Sequence, residues 1–254
     1  MKIYRYKHMD KTAYGVLKEE LLYPVVGSIY RKFELKRKGM PISDVFLLPP
    51  VKPTKIVAIG RNYKDHAAEM GKPLPEEPLI FLKPPSALAG PNEIIIYPDM
   101  SKRVDYEGEL AVVIRKKAHL LKENDDVHAY ILGYSCFNDV TARDLQQKDV
   151  QFTRGKSFDT FAVVGPCIAT DIDPSSLRLK TFLNGKLKQS GNTKNLIFPI
   201  PYLVRFISQV MTLNSGDIIA TGTPAGIGPM LPGDRVDVQI EGIGVLSNKV
   251  LKIK

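Results

Sequence analysis

The sequence predicts an α+β fold on a mixed or antiparallel sheet, and three observations carry that expectation. Strand-sized apolar runs outnumber helical ones, strands and helices do not alternate regularly as in a doubly wound sheet, and no internal repeat divides the 254 residues. The composition, 44% hydrophobic and 25% charged, suits a packed globular chain rather than a disordered or fibrous one.

Taken in order, Ile3–Tyr6 and Tyr14–Leu17 are strand-sized runs separated by polar residues. Leu21–Gly27 is less regular, Ile29–Lys38 reads as a short helix or loop, and Val45–Leu48 follows. Residues 49–53 then place three prolines within five positions, which neither a helix interior nor a central strand accepts. The domain junction is placed there, with a small β-rich part at residues 1–50 and a larger part at 51–254. The larger part opens on Lys55–Gly60, a fully buried strand candidate, followed by a helical segment Asp65–Met70 ended by Gly71 and Pro73. Strands are expected at Leu79–Leu82, Glu93–Tyr97, Val104–Arg115 and Tyr130–Phe137. Later strands are expected at Phe161–Val164, Leu179–Leu183, Asp217–Ala220, Val236–Ile240 and Gly244–Ile253. Asn184-Gly185 predicts a tight hairpin. Pro201–Met211 predicts a helix with Leu203, Phe206, Ile207 and Val210 on one face.

The formal charge of +9 admits nucleic acid, an anionic membrane or small anionic substrates as partners. The charge is scattered, however. Its densest clusters, Lys36-Arg37-Lys38 and Arg115-Lys116-Lys117, are three residues long, and no nucleic-acid motif accompanies them. No run approaches a membrane span or a signal peptide, so a soluble cytoplasmic protein without membrane contact is expected. Cys136 and Cys167 lie in apolar stretches and are read as buried thiols in preference to a disulfide.

Two patterns point to chemistry. Glu107 and Glu109 are two apart on an expected strand, so both point to one face, where they repel unless a cation lies between them. Asp139 ends another apolar run. Three carboxylates without cysteine or histidine suit a hard ion such as magnesium. His66 and Glu69 are i and i+3 on an expected helix, where the carboxylate fixes the imidazole tautomer and raises its basicity. Two glycine-rich segments imitate known loops and fail. Arg154-Gly155-Lys156-Ser157 has Val150 where a phosphate-binding loop needs glycine. Residues 221–228 contain Pro224 and lack a following helix, so they miss the dinucleotide fingerprint. Their amides and the Thr223 hydroxyl could still cradle a carboxylate.

Together the motifs resemble the fumarylacetoacetate hydrolase family, in the branch of acylpyruvate hydrolases and 2-hydroxyhepta-2,4-diene-1,7-dioate isomerases. The pieces are Gly60-Arg61-Asn62-Tyr63 with His66 and Glu69, then residues 105–110, 138–144, 155–159 and 221–228, and finally Pro232-Gly233-Asp234. They run in family order over residues 54–254. The resemblance implies a β-roll with a small β-rich N-terminal part, and a homodimer. It implies Glu107, Glu109 and Asp139 as ligands of magnesium or manganese, with calcium able to replace either in crystals. It implies His66 and Glu69 as a catalytic dyad on a lid continued by residues 71–78. Lys156 would lie near the substrate oxygens. Gln146 and Thr223 would meet the carboxylate end of a 2-oxo acid, with Arg61 and Tyr63 as further candidates. The leading expected activity is divalent-metal-dependent hydrolysis of a carbon–carbon bond in a 2,4-dioxo acid. The alternatives are decarboxylation or tautomerisation of oxaloacetate-like acids, or isomerisation of hydroxydienedioates. A non-enzymatic nucleic-acid-binding protein is the distant alternative.

Overall fold

In the computed structural model, which describes residues 1–71 and 73–253, the strands Gly108–Ile114 and Ile131–Asp139 are buried at every position. Leu110, Val112 and Ile114 face one apolar core while Ala111 and Val113 face another. A strand covered on both sides needs a continuous apolar run rather than in–out alternation, which is what its sequence supplies. Each buried Val, Leu or Ile side chain of this kind stabilises the fold by about 1.5–3 kcal/mol.

Among the described residues, these two strands lie in the middle of the largest sheet. Its path runs Phe33–Leu35, Leu21–Gly27, Lys11–Lys18, Lys2–His8, Ala162–Ala169, Ile131–Asp139, Gly108–Ile114, Ile218–Ala220, Ile56–Gly60 and Leu79–Lys83. Most neighbours are antiparallel, but Ile218–Ala220 runs parallel to Ile56–Gly60. A second sheet joins Ile95–Ile96, Gly244–Leu251, Arg235–Ile240, Arg178–Leu183 and Lys186–Asn192. A small third one joins Thr141–Ala142, Val104–Tyr106 and Gly228–Met230. The expected α+β class with mixed, mainly antiparallel sheet is the observed one. Lys2–His8 pairs with Lys11–Lys18 in a hairpin and lays Ile3 against Ile168 of the larger part.

Four α-helices are described: α1 (Lys64–Glu69), α2 (Arg143–Asp149), α3 (Thr153–Lys156) and α4 (Ile200–Val210). The long helix α4 buries Leu203, Val204 and Ile207, whereas Val210, expected on that face, is 55% exposed. Asn184 and Gly185 both adopt left-handed φ, 51° and 75°, in the hairpin turn expected of that dipeptide.

Two local expectations are corrected. Ile29–Lys38 contains no helix: a turn closed by Arg31 N–H on the Ser28 carbonyl (3.0 Å) leads into Phe33–Leu35, which pairs with Leu21–Gly27. The single strand expected at Val104–Arg115 is two strands, broken at Glu107. There the backbone leaves one sheet for another. Glu107 N–H donates to the Asn138 side chain (2.9 Å) and Gly108 N–H to the Gln189 side chain (2.9 Å), in place of ladder bonds. Cys136 and Cys167 are buried free thiols, and no described helix is long and apolar enough to cross a membrane.

Candidate active site

The break at Glu107 builds the centre of the site. Glu107 sits at the sheet crossing, Glu109 one residue into the Gly108–Ile114 strand, and Asp139 at the end of Ile131–Asp139, tied to the crossing by its N–H on the Glu107 carbonyl (2.9 Å). All three carboxylates are buried, and one oxygen from each lies within 4.8 Å of the others. Their convergence comes from this crossing and not from alternation along one strand. Gly108 between them has no room for a side chain, since a Cβ there would meet Thr181 Oγ1 at 2.1 Å.

Three cations converge on these acids. Lys156, at the end of α3, donates to Glu107 Oε2 (2.8 Å) and Asp139 Oδ2 (2.6 Å). Lys83 is fully buried and donates to Asp139 Oδ1 and to the Val140 carbonyl (3.2 Å). Arg143, at the start of α2, spreads its guanidinium over Asp105 (2.9 Å), Gln146 (2.6 Å) and Glu107. Burial alone would raise the Glu107 carboxyl, but the Lys156 and Arg143 charges hold it well below the carboxylate range. Burial, then Asp139 and Glu107, push Glu109 well above that range. Burial opposes the Lys156 charge, yet Asp139 and Glu107 keep that ammonium above its ordinary value. Lys83 is lowered by burial, which Asp139 only partly offsets. A buried all-oxygen set in which one carboxylate is so disfavoured as an anion fits a hard divalent cation.

The His66–Glu69 pair is on α1, with Nδ1 3.0 Å from Glu69 Oε2. Glu69 is held in turn by Gly226 N–H (2.9 Å). Gly226 has φ +98°, and a Cβ there would strike the Lys188 carbonyl at 2.3 Å, so only glycine can present this amide. Gly222 N–H, in the same loop, donates to Glu109 Oε2 (2.8 Å). The glycine-rich loop thus does cradle carboxylates, but those of the protein's own Glu69 and Glu109.

A cavity of about 520 Å³ collects these groups. Glu107, Glu109, Asp139, His66, Lys156, Arg61, Gln146 and Thr223 line it. Thr223 Oγ1 is committed elsewhere, donating to the Gly108 carbonyl (2.8 Å) and accepting from Gln189 (2.8 Å). Tyr63 is fully buried, does not line the cavity, and its hydroxyl has no described partner. Burial, with Glu109 and Asp65 nearby, raises that phenol. Of the segment expected to continue the lid, Lys72 lies outside the described residues.

Sequence reasoning missed Lys83 and Arg143. The signal for Lys83 was parity, because it lies two residues beyond Phe81, which lines the cavity from the same strand. Arg143 lies three before Gln146, on the same face of α2.

A buried carboxylate cluster sharing one cavity with a histidine that is itself paired to a carboxylate has the make-up of an enzyme site. The chain belongs to the fumarylacetoacetate hydrolase family: residues 55–251 match the family described as fumarylacetoacetate (FAA) hydrolase C-terminal, and residues 1–50 match that described as Rv2993c-like, N-terminal. It is 42% identical over 224 residues to the oxaloacetate tautomerase YisK of Bacillus subtilis, covering 82% of this chain and 74% of that protein. It matches the crystal structure of 2-hydroxyhepta-2,4-diene-1,7-dioate isomerase from Mycobacterium marinum with a TM-score of 0.92 and 40% identity, over 99% of this chain and 98% of that one. It also matches maleylpyruvate hydrolase from Sphingobium sp. SYK-6, in complex with manganese and pyruvate, with a TM-score of 0.83 and 29% identity over 100% of both chains.

Proposed function

We propose that this chain interconverts keto and enol tautomers, or double-bond isomers, of a small 2-oxo acid. The observation that carries the reading is the buried His66, tied through Nδ1 to Glu69, in the same cavity as Lys156 and the three carboxylates. The names of the relatives at 42% and 40% identity support proton transfer ahead of the hydrolysis expected first from sequence. Hydrolysis of a 2,4-dioxo acid is the second reading, favoured by the likeness to maleylpyruvate hydrolase.

Glu107, Glu109 and Asp139 would hold magnesium or manganese. Such an ion, when bound, supplies Lewis-acid polarisation of the 2-oxo acid's oxygens. With Nδ1–H donated to Glu69, the other ring nitrogen, Nε2, is the base. In the keto-to-enol direction it takes a proton from C3. The C–H electron pair becomes the C2=C3 bond, the carbonyl pair moves to oxygen, and that oxygen takes up a proton. The reverse direction returns the proton to C3. Lys156, whose charge is upheld by Asp139 and Glu107, stabilises the negative oxygen. The apolar walls of Phe81, Phe152 and Leu79 limit water at the reacting carbon. A homodimer in solution is proposed with this reading, and light scattering that returns a monomer mass would remove it.

The experiment follows the enol absorbance of oxaloacetate with magnesium, against the spontaneous rate, and identifies products by NMR. Accelerated ketonisation without new carbon fragments is expected, falling by about 100-fold or more in His66→Ala. Release of acetate and pyruvate from acetylpyruvate, with no effect on oxaloacetate, would move the assignment to hydrolysis.

A further inference from the structure

Two shortages meet at the acid cluster, and the first is of donors. Glu107 accepts from Arg143 and Lys156, and Asp139 from Lys83 and Lys156. Glu109 accepts at Oε2 from the Gly222 N–H, and its Oε1 has no donor among the described residues. Carboxylates that ligate a metal are ordinarily held by hydrogen bonds from behind, which fix the orientation that faces the ion. Glu109 is the least supported of the three.

The second shortage is of an acceptor. Tyr63 is fully buried, and its hydroxyl has no hydrogen-bond partner among the described residues. A hydroxyl removed from water and left unpaired costs stability, so its persistence asks for a partner that turns toward it in another state. Tyr63 cannot swing out to water to find one. It heads α1, where its carbonyl accepts from Ala67 N–H (3.0 Å), and its backbone bridges to Leu196. The preceding Asn62 anchors the turn. Its Nδ2 donates to the carbonyls of Phe198 (3.1 Å) and Thr221 (2.8 Å), and its Oδ1 accepts from Phe198 N–H (2.7 Å).

The glycine-rich loop brings the two together. A Cβ on Gly222, whose N–H holds Glu109, would meet the Cβ of Asn62 at 2.8 Å. A Cβ on Gly191 would meet Pro224 of the same loop at 2.7 Å and the Tyr63 ring at 3.7 Å. Burial raises the Tyr63 phenol, and among the charges around it Glu109 raises it ahead of Asp65. Asp65 is exposed and accepts from the His66 N–H (2.9 Å). Tyr63 does not line the cavity, so a substrate group is not the acceptor.

We propose that Tyr63 is a positioning residue of the metal site, its hydroxyl donating to Glu109 when a divalent ion is bound there. This rests on the reading of Glu107, Glu109 and Asp139 as the metal site and adds the group that orients one of them. A cation among the three acids removes their mutual repulsion and favours Glu109 as a carboxylate, which is the better acceptor. The same bond ties the ion to α1, which carries His66 three residues further on.

The test is Tyr63→Phe, which keeps the ring and removes the hydroxyl. Calorimetry should show magnesium and manganese affinities at least about 10-fold below those of wild type. Thermal unfolding without metal should show a midpoint no lower than that of wild type, because the hydroxyl has no partner to lose in that state. A tyrosine that serves packing alone gives the opposite pattern, a lowered metal-free midpoint with unchanged affinity, and that pattern overturns the proposal. Near-UV absorbance adds a signature independent of folding. Magnesium should move tyrosine absorbance of wild type to longer wavelength, as a phenol responds to donating to a carboxylate, and Tyr63→Phe should lack that shift. Should affinity and midpoint both fall, this spectrum decides, and the same shift in both proteins overturns the proposal. A wild type that binds neither ion defeats the metal reading and the Tyr63 role together. A wild type that binds, with a variant that binds equally, defeats the Tyr63 role alone.

Discussion

Asp217 and Glu109 are buried carboxylates on paired stretches of one sheet, at the start of Ile218–Ala220 and of Gly108–Ile114, and the protein treats them in opposite ways. Asp217 Oδ1 accepts from Thr54 N–H (2.8 Å), Thr54 Oγ1 (2.7 Å) and Lys55 N–H (3.2 Å). Its Oδ2 accepts from Lys55 Nζ (2.6 Å) and Asn214 N–H (2.8 Å). Glu109 accepts only from Gly222 N–H among the described residues, and has two carboxylates for neighbours. Burial would raise both groups. At Asp217 the Lys55 and Asn214 donors more than offset it and hold the carboxyl low, whereas at Glu109 the neighbouring acids add to it. One carboxylate is completed by the chain and locks two strands together. The other is left for chemistry.

The contrast can be broken at the Asp217 end first. Asp217→Ala removes the partner of Lys55 and five hydrogen bonds, and should lower unfolding free energy by about 3–5 kcal/mol in denaturant titrations. A carboxyl depressed in the fold contributes stability above its unfolded value of about 3.9, lost as pH falls through its lower folded value. The gap between wild type and variant should therefore be full at neutral pH and shrink in acid. A gap independent of pH would deny Asp217 its charged role.

Glu109→Gln sharpens the other end. It removes an anion that the fold disfavours, so the metal-free variant should be no less stable than wild type. Magnesium affinity should drop at least about 100-fold by calorimetry, since even partners outside the ligand set are worth about 10–100-fold. Undiminished binding would remove Glu109 from the metal site. The smallest expected effect is at Gly108, which separates Glu107 from Glu109 at the sheet crossing. Gly108→Ala forces a Cβ against Thr181 and should cost about 1–3 kcal/mol, visible as a lowered unfolding midpoint.

The same contrast explains what was legible in the sequence. Glu107, Glu109 and Asp139 could be singled out because carboxylates beside long apolar runs are costly, and the His66–Glu69 pair because i and i+3 meet on any helix. The Asn184-Gly185 hairpin was legible because its dipeptide dictates the turn. The partners that complete the site were not. Lys83 reaches Asp139 across 56 residues and Arg143 reaches Asp105 across 38, and no local periodicity encodes such a distance. The break at Glu107 was hidden because the side chains replacing its ladder bonds, Asn138 and Gln189, come from other strands. Helices α2 and α3 are short and begin without a side-chain cap, so no start signal announced them.

The pairing of Ile3 with Ile168 bears on how the chain is made. On a ribosome the first hairpin emerges before its distant partner: Phe46–Leu48 can soon cover Arg5–Lys7, but Lys2 and Ile3 must wait for a strand translated some 165 positions later. At about 5–20 residues per second, that interval is roughly 8–30 s. During it the Lys2–Ile3 end of the strand exposes unsatisfied amides and carbonyls of the kind that recruit chaperones or foreign strands. That corner of the large sheet, where Lys2 and Ile3 meet Ile168 and Ala169, is therefore made early and sealed late.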